Sequence, residues 1–228
     1  MAVSSHGDHL IKVTRIGAVN AYLVREEDGF TVIDTAIGGS ATAILKAAEE
    51  AGGSIRRIAL THAHADHVGS VAALHKELPD AEILISTRDA RFLRGDKSLD
   101  PDEPQAKLRG SYVTVDVEPT RLLEPGDRVG SLEVVASPGH TPGHVAYFDT
   151  RDRTLVAGDA FQTLGGIAVS GKVRPLFPLV AMGNWHKPTS LESARRLRGL
   201  DPSRLAVGHG RVIESPGGEM DRAIADAS

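Results

Sequence analysis

Three histidines and one aspartate fall within the short segment His62-Ala63-His64-Ala65-Asp66-His67. Imidazole nitrogens and carboxylate oxygens are the ligands that a borderline divalent cation such as Zn²⁺ takes in proteins. The alternative is a polar, solvated turn that happens to be rich in histidine. The segment lies between a short apolar stretch and a helical pattern, and α/β folds bind ligands where a strand ends and a helix begins. The spacing therefore predicts a metal site.

Further ligands are expected from other strand ends, because one turn cannot surround two ions. His140 lies in a rigid Gly/Pro turn at residues 137–144, after a predicted strand. Asp159 follows the apolar residues 154–157, and His209 stands between two glycines after another apolar stretch. Neighbouring glycines let backbone approach closely in each case. These three residues are the candidates for completing the site.

Together these residues resemble the metal-binding motifs of the metallo-β-lactamase superfamily. The matching pattern is His62-x-His64-x-Asp66-His67, followed in order by His140, Asp159 and His209. The resemblance spans nearly the whole chain and is far more specific for the superfamily than for a substrate. It implies an α/β fold, a four-layer αββα sandwich of two mixed β-sheets flanked by helices, formed by a single domain over residues 1–228.

The resemblance also implies a role for each residue. His62, His64 and His140 would bind one metal ion, Asp66, His67 and His209 would bind a second, and Asp159 would bridge the two. Zinc is the expected metal for nitrogen-rich ligands, with iron or manganese as alternatives. Two such ions about 3.5–4 Å apart can share one water molecule and lower its pKa from about 15.7 toward 7. Asp66 is the expected catalytic residue, which orients this nucleophile or passes a proton to the leaving group.

The periodicity of the chain predicts the elements that position these residues. Before the histidine segment, we expect strands at 10–16, 21–24, 30–33 and 55–61 and a helix beginning near residue 41. After it, we expect a helix at 66–78, a strand at 82–86, a surface loop at 95–110, and a second group of strands at 121–124, 131–136, 145–148 and 154–157. The last part should contain an irregular segment at 161–187, a helix capped by Thr189 and Glu192, a strand at 205–207 and a helix at 220–227.

Several other polar residues have both a functional and a structural interpretation. Asp34 and His144 are expected to donate or accept hydrogen bonds near the ligands, although Asp34 could instead cap a turn and His144 could instead bind metal. Trp185 and His186 could touch a substrate, but a packing or surface role is favoured for both. His6 and His9 are expected to be loose terminal residues. Solvated surface positions are expected for a set of arginines that could instead contact an anionic substrate or nucleic acid: Arg88, Arg91, Arg94, Arg195 and Arg198.

Composition limits the classes of partner that the protein is expected to bind. The formal net charge is -4, whereas proteins that hold nucleic acid normally carry a basic surface, so no nucleic acid is expected. No apolar run approaches the length of a membrane span, so no membrane is expected either. The chain contains no cysteine and begins without a recognisable signal peptide, which favours the cytoplasm. The expected partner is a small-molecule substrate.

Within the superfamily, the residues favour hydrolysis of an ester, thioester or lactone. Antibiotic hydrolysis is disfavoured, because the β-lactamases use a cysteine that is missing here or lack the bridging aspartate. Glyoxalase II normally adds a C-terminal segment that holds glutathione, and only nineteen residues follow His209. Many quorum-quenching lactonases carry a tyrosine where Gln162 stands. The alternatives are a nuclease or phosphodiesterase and a single-iron persulfide dioxygenase; a non-catalytic binding protein would be expected to have lost a ligand, and none is missing.

A substrate pocket is expected in the irregular segment, because bulky apolar residues are frequent there without a regular period. The candidates for its wall are Phe161, Leu164, Leu176, Phe177, Met182 and Trp185.

Overall fold

A computed structural model describes the whole chain, residues 1–228, and contains two mixed β-sheets packed face to face. The first sheet has seven strands in the order β1 to β7, which are Ala2–His6, Leu10–Arg15, Val19–Glu26, Gly29–Ile33, Ile55–Ala59, Glu82–Ser86 and Arg121–Leu123. Its first four strands pair antiparallel, and its last three continue in parallel.

The second sheet has six strands in the order β15-β14-β11-β10-β9-β8. These strands are Arg128–Val129 (β8), Leu132–Ala136 (β9), Val145–Asp149 (β10), Thr154–Val156 (β11), Arg204–Ala206 (β14) and Ile213–Glu214 (β15). Only β11 and β14 pair in parallel. A separate two-stranded hairpin is formed by Phe161–Gln162 (β12) and Ala168–Val169 (β13).

Helices cover the outer face of each sheet. They are Ala41–Glu50 (α1), Ala65–Val68 (α2), Val71–Glu77 (α3), Thr87–Leu93 (α4), Leu179–Gly183 (α5), Lys187–Gly199 (α6) and Gly217–Ala227 (α7). One apolar cluster packs α1, α3 and α4 on the first sheet, and another packs α6 and α7 on the second. A third cluster, with members such as Tyr22 and Tyr147, fills the space between the sheets. The expected αββα sandwich is therefore confirmed. None of the helices combines the length and the apolar character that crossing a lipid bilayer requires.

Several elements differ from the prediction. The segment at 161–187, expected to be irregular, contains the β12–β13 hairpin and α5. The helix expected at 66–78 is broken after Val68, because Gly69 turns aside to donate its N–H to the Ala36 carbonyl, and a Cβ there would lie 2.5 Å from the Gly38 nitrogen. The strand at 121–124 joins the first sheet beside β6 rather than the second group.

Two further differences concern helices. Helix α4 was not predicted, although Ser86 accepts a hydrogen bond from the Asp89 N–H in a recognisable N-cap. Helix α6 begins at Lys187, before the expected cap at Thr189, because Pro188 is pre-organised for a first helical turn. His186 is the N-cap residue, and its Nδ1 lies 2.7 Å from Thr189 Oγ1.

Two surface expectations were also wrong. His6 is not a loose terminal residue, because it lies in β1 and pairs with Leu10 of β2. Arg88 is not on a solvated face, since its side chain is 15% exposed and forms an ion pair with Glu103 at 2.7 Å. Arg91 similarly pairs with Asp100 at 2.7 Å. These pairs hold the 95–110 loop against α4 and thereby direct the residues that follow toward the histidine segment.

Candidate metal centre

The predicted ligands converge at one edge of the sandwich, because each follows the carboxyl end of a strand. His62 and His64 lie in the loop after β5, and Asp66 and His67 lie in α2, which this loop enters. The others come from the turn after β9 and the loops after β11 and β14; they are His140, Asp159 and His209. The strand order of the two sheets therefore brings together residues that are far apart in the sequence.

Their ligand atoms form three overlapping groups. The groups are His62–His64–His140, His62–His67–Asp159 and Asp66–His67–His209, and within each the ligand atoms lie within 4.8 Å of one another. The first and third of these groups are the two histidine-rich sets expected from the sequence. All of the residues are buried except Asp66, which is partly exposed.

The spacing between ligand atoms suits a metal ion. Two ligands about 2.1 Å from a tetrahedral ion lie roughly 3.4 Å apart. His64 Nδ1 lies 3.0 Å from His140 Nε2, and His209 Nε2 lies 3.3 Å from Asp66 Oδ2. One pair in each set therefore lies near the edge length of such a tetrahedron, while His67 Nε2 and Asp66 Oδ2 are farther apart at 4.0 Å.

The Asp159 carboxylate lies between the two sets. Its Oδ2 is 3.4 Å from His140 Nε2 and 3.2 Å from His209 Nε2, and its Oδ1 is 3.4 Å from His67 Nε2. One carboxylate thus approaches both histidine sets. This is the arrangement that a ligand shared between two ions requires.

Three buried atoms at the centre have no hydrogen-bond partner: His62 Nε2, His67 Nε2 and Asp159 Oδ1. Buried polar groups are nearly always paired, so orphans that face one point call for an explanation. Cations bound between these atoms would satisfy all three. The donor set therefore fits a divalent metal.

The protonation of the histidines follows their surroundings. Burial lowers the pKa of His64 to about 4 and that of His62 and His140 well below the usual value, so these rings are neutral at pH 7. For His209, burial is outweighed by the carboxylates of Asp159 and Asp66, which raise its pKa to about 9. The acidic side of the centre thus attracts positive charge, and a metal ion there would have to displace a proton.

Two further residues orient the ligands by hydrogen bonds. Asp34 Oδ2 lies 2.8 Å from His67 Nδ1, and the same carboxylate accepts hydrogen bonds from the N–H and hydroxyl of Thr61. His144 accepts the N–H of Asp159 at Nε2, while its Nδ1 lies 2.8 Å from Ser137 Oγ. Because both ring nitrogens of His144 are engaged, it orients Asp159 rather than joining a metal group. Both residues occupy the positions expected of hydrogen-bond partners.

A cavity of about 570 Å³ opens directly onto the centre. It is lined by His64, Asp66, His140, Asp159 and His209 on one side and by Ile37, Leu179, Val180 and Met182 on the other. Its remaining lining residues are Gly38, Ala65, Gly110, Ser111 and Gly183, so no lysine or arginine faces it. A reacting group beside the predicted ligands would have an uncharged, largely apolar surface next to it.

Only Met182 among the residues predicted to wall this cavity lines it. Phe161 belongs to the core under the second sheet, and Trp185 is buried with its Nε1–H donated to the Ala106 carbonyl. Leu176 is 84% exposed, and Phe177 instead packs beside the His209 ring at a centroid distance of 5.1 Å. The prediction was largely wrong because Phe161 and Trp185 are buried, Leu176 is exposed and Phe177 packs on the His209 ring. Ile37 and residues of α5 supply the apolar wall.

The 95–110 loop and the residues after it contribute to the site in a way that the sequence did not indicate. The Arg109 carbonyl lies 3.0 Å from His64 Nε2, and the Tyr112 ring packs against the His64 ring at 4.6 Å. A Cβ on Gly110 would lie 2.2 Å from His64 Nε2, so only glycine permits this approach. The only signal in the sequence was Gly110 itself, and a glycine does not indicate which residue it will approach.

Known proteins resemble this chain over most of its length. A family model described as the metallo-beta-lactamase superfamily matches residues 14–209. Protein YobT of Bacillus subtilis (strain 168) is 46% identical over 210 residues, which cover 92% of this chain and 90% of YobT. A hydroxyacylglutathione hydrolase of Acidiphilium cryptum (strain JF-5) is 30% identical over 91% of this chain and 79% of its own length.

Among solved structures, the di-iron-bound form of TTHA1623 superposes with a TM-score of 0.67. It is 30% identical in sequence, and the match covers 90% of this chain and 93% of that one.

Proposed function

The chain belongs to the metallo-β-lactamase superfamily, and on this premise we propose that it is a hydrolase with two divalent metal ions that cleaves an ester, thioester or lactone bond in a small molecule. The observation that carries the proposal is the position of Asp159, whose carboxylate lies within 3.4 Å of both histidine sets. A structural histidine cluster would not need a buried, partly unpaired carboxylate between its two halves.

Each predicted ligand has a role in the proposed mechanism. His62, His64 and His140 would hold one ion, Asp66, His67 and His209 the other, and Asp159 both. Two bound ions would polarise the substrate carbonyl and lower the pKa of a water molecule toward 7. The Asp66 side chain is 39% exposed and lines the cavity, so it can also accept a proton from the attacking water and return it to the leaving group.

The nature of the metals is part of the proposal. Nitrogen-rich ligands at these spacings favour zinc. Iron is the principal alternative, supported by the di-iron-bound state named for TTHA1623. Metal supply can decide between them, because a site of this kind binds several first-row ions.

The cavity favours an uncharged substrate with an apolar part. Ile37, Leu179, Val180 and Met182 face the space beside the ligands, and no cationic side chain does. Phosphodiesters and glutathione conjugates carry negative charges that usually call for lysine or arginine. We therefore rank a carbonyl ester or lactone above a phosphodiester and above a glutathione thioester.

Metal removal tests the proposal directly. We expect about two zinc or iron ions per chain by elemental analysis, together with activity on p-nitrophenyl esters or γ-lactones that disappears after treatment with a chelator. Adding back the native metal should restore that activity. Hydrolysis of bis(p-nitrophenyl) phosphate alone would favour the phosphodiesterase alternative, and ester hydrolysis that survives complete metal loss would refute the metal-dependent mechanism.

Met182 offers a test of the substrate class. Met182→Gln keeps the side-chain volume but makes the α5 wall polar, so kcat/KM for p-nitrophenyl octanoate should fall about tenfold, equivalent to about 1.4 kcal/mol of lost apolar contact. The value for p-nitrophenyl acetate should change little, because its acyl group is too short to reach the wall. Leu176→Gln is the control, since Leu176 is exposed and lies outside the cavity lining. Equal losses on both esters in Met182→Gln would contradict the assignment.

A further inference from the structure

Asp89 is a fully buried carboxylate in the first turn of α4, outside the predicted ligand set. Its Oδ2 accepts hydrogen bonds from the Ala63 N–H at 3.0 Å and from the Thr141 hydroxyl at 2.7 Å. Its Oδ1 accepts the Gly143 N–H at 2.7 Å. One carboxylate therefore receives three hydrogen bonds from two different segments of the chain.

The donors belong to the two turns that carry the first histidine set. Ala63 lies between His62 and His64, and Thr141 directly follows His140. These turns come from different sheets, the first after β5 and the second after β9. Asp89 is thus a direct bridge between the backbones on which all members of this set are mounted.

The residues around Asp89 pack closely against it. A Cβ on Gly143 would lie 2.5 Å from the Asp89 nitrogen and 2.6 Å from Oδ1, so the turn can approach only because residue 143 is glycine. Ser86 Oγ accepts the Asp89 N–H and donates to the Gly143 carbonyl at 2.6 Å. The carboxylate is therefore held rigidly, and so are the two turns that bind it.

We propose that Asp89 is a positioning residue, which sets the spacing of His62, His64 and His140 by joining their two turns through one carboxylate. The inference rests on the proposed metal-binding function. The second set has its own buried carboxylate, since Asp34 contacts His67. Asp89 differs because it accepts hydrogen bonds from backbone N–H groups and a hydroxyl rather than contacting an imidazole. It therefore controls the backbone positions of the ligand residues, whereas Asp34 controls the orientation of one ring.

Asparagine cannot replace this carboxylate. Its amide has one acceptor oxygen, whereas Asp89 uses both oxygens to accept from backbone N–H groups, which cannot reverse their role. In Asp89→Asn one N–H would face an NH₂ group, and one turn should move away. The histidine spacing of the first set would then change, while the second set would remain intact.

The test compares Asp89→Asn with the wild type in zinc binding by the metal-free protein. In competition with a chromophoric chelator, the affinity of one of two zinc sites should fall about 10–100-fold, a range typical of lost support to metal ligands. The Co²⁺-substituted variant should also show a changed d–d absorption spectrum. Asp149→Asn is the matched control, because Asp149 is equally buried but lies at the far end of β10, paired with Arg151.

A second pair of variants covers the case in which Asp89→Asn does not fold. Thr141→Val removes one donor at constant shape and should weaken one zinc site severalfold, and Thr141→Ser should restore it. Wild-type zinc affinities and Co²⁺ spectra in folded Asp89→Asn, or in Thr141→Val, would overturn the positioning role, even if thermal stability fell. Failure of the wild type to bind any zinc, iron or cobalt would instead refute the proposed function.

Discussion

Asp159→Asn should lower kcat/KM for ester hydrolysis by about 10³-fold or more, which corresponds to at least about 4 kcal/mol of transition-state stabilisation. The carboxylate is the single anionic group that approaches both histidine sets, with Oδ2 near His140 and His209 and Oδ1 near His67. An amide carries no charge, and its NH₂ group would point at one of the two proposed metal positions. The centre should then hold fewer than two metals, and the attacking water would lose its activation.

The measurement is kcat/KM together with metal content after dialysis against metal-free buffer. Asp149→Asn again serves as the control, since it removes a buried carboxylate that lies far from the centre. We expect the control to lose stability, because it breaks the pair with Arg151, but to keep two metals and its activity per folded molecule. Full metal content and activity in Asp159→Asn would exclude a bridging role.

Gly208→Ala should reduce kcat/KM by about 10²-fold although it removes no functional group. A Cβ at this position would lie 2.2 Å from Asp159 Oδ1 and 2.6 Å from His67 Cε1. Ordinary contacts are longer by about 1 Å, so at least one of these side chains must move by a comparable distance. A misplacement of this size at a catalytic centre can reduce the rate about 10²-fold.

Gly199→Ala is the matched substitution for this experiment. Gly199 ends α6, and a Cβ added there would meet no neighbouring atom within 4 Å, so alanine should be neutral or slightly stabilising. Both variants are assayed for kcat/KM, metal content and thermal midpoint. Normal kinetics in Gly208→Ala would mean that Asp159 and His67 can shift without loss, which is incompatible with the proposed geometry.

The agreement between sequence and structure was greatest where local chemistry and a strand end coincided. The segment from His62 to His67 could be recognised because residue type and spacing are both properties of a short stretch. His140, Asp159 and His209 could be added because each follows an apolar strand and stands near a glycine. The superfamily resemblance then placed these strand ends at one edge, and the fold that it implied is confirmed.

The boundaries of elements were less predictable, because they depend on contacts with distant segments. The break at Gly69 exists because the chain at Ala36 and Gly38 passes beside it. The composition of the strand near residue 121 would suit either sheet, and only its pairing with β6 assigns it to the first sheet. In neither case does the local pattern contain the deciding information.

By itself, the sequence determined which residues are candidates to bind a metal, since the types and spacing of imidazoles and carboxylates are properties of the chain. Tertiary structure decided what surrounds that chemistry. The apolar wall comes from α5 rather than from the bulkiest residues nearby, and Asp89 joins two turns that lie 26 and 52 residues away from it. These features depend on which segments meet in space, and a side chain's neighbours across a sheet are set by packing of the whole core.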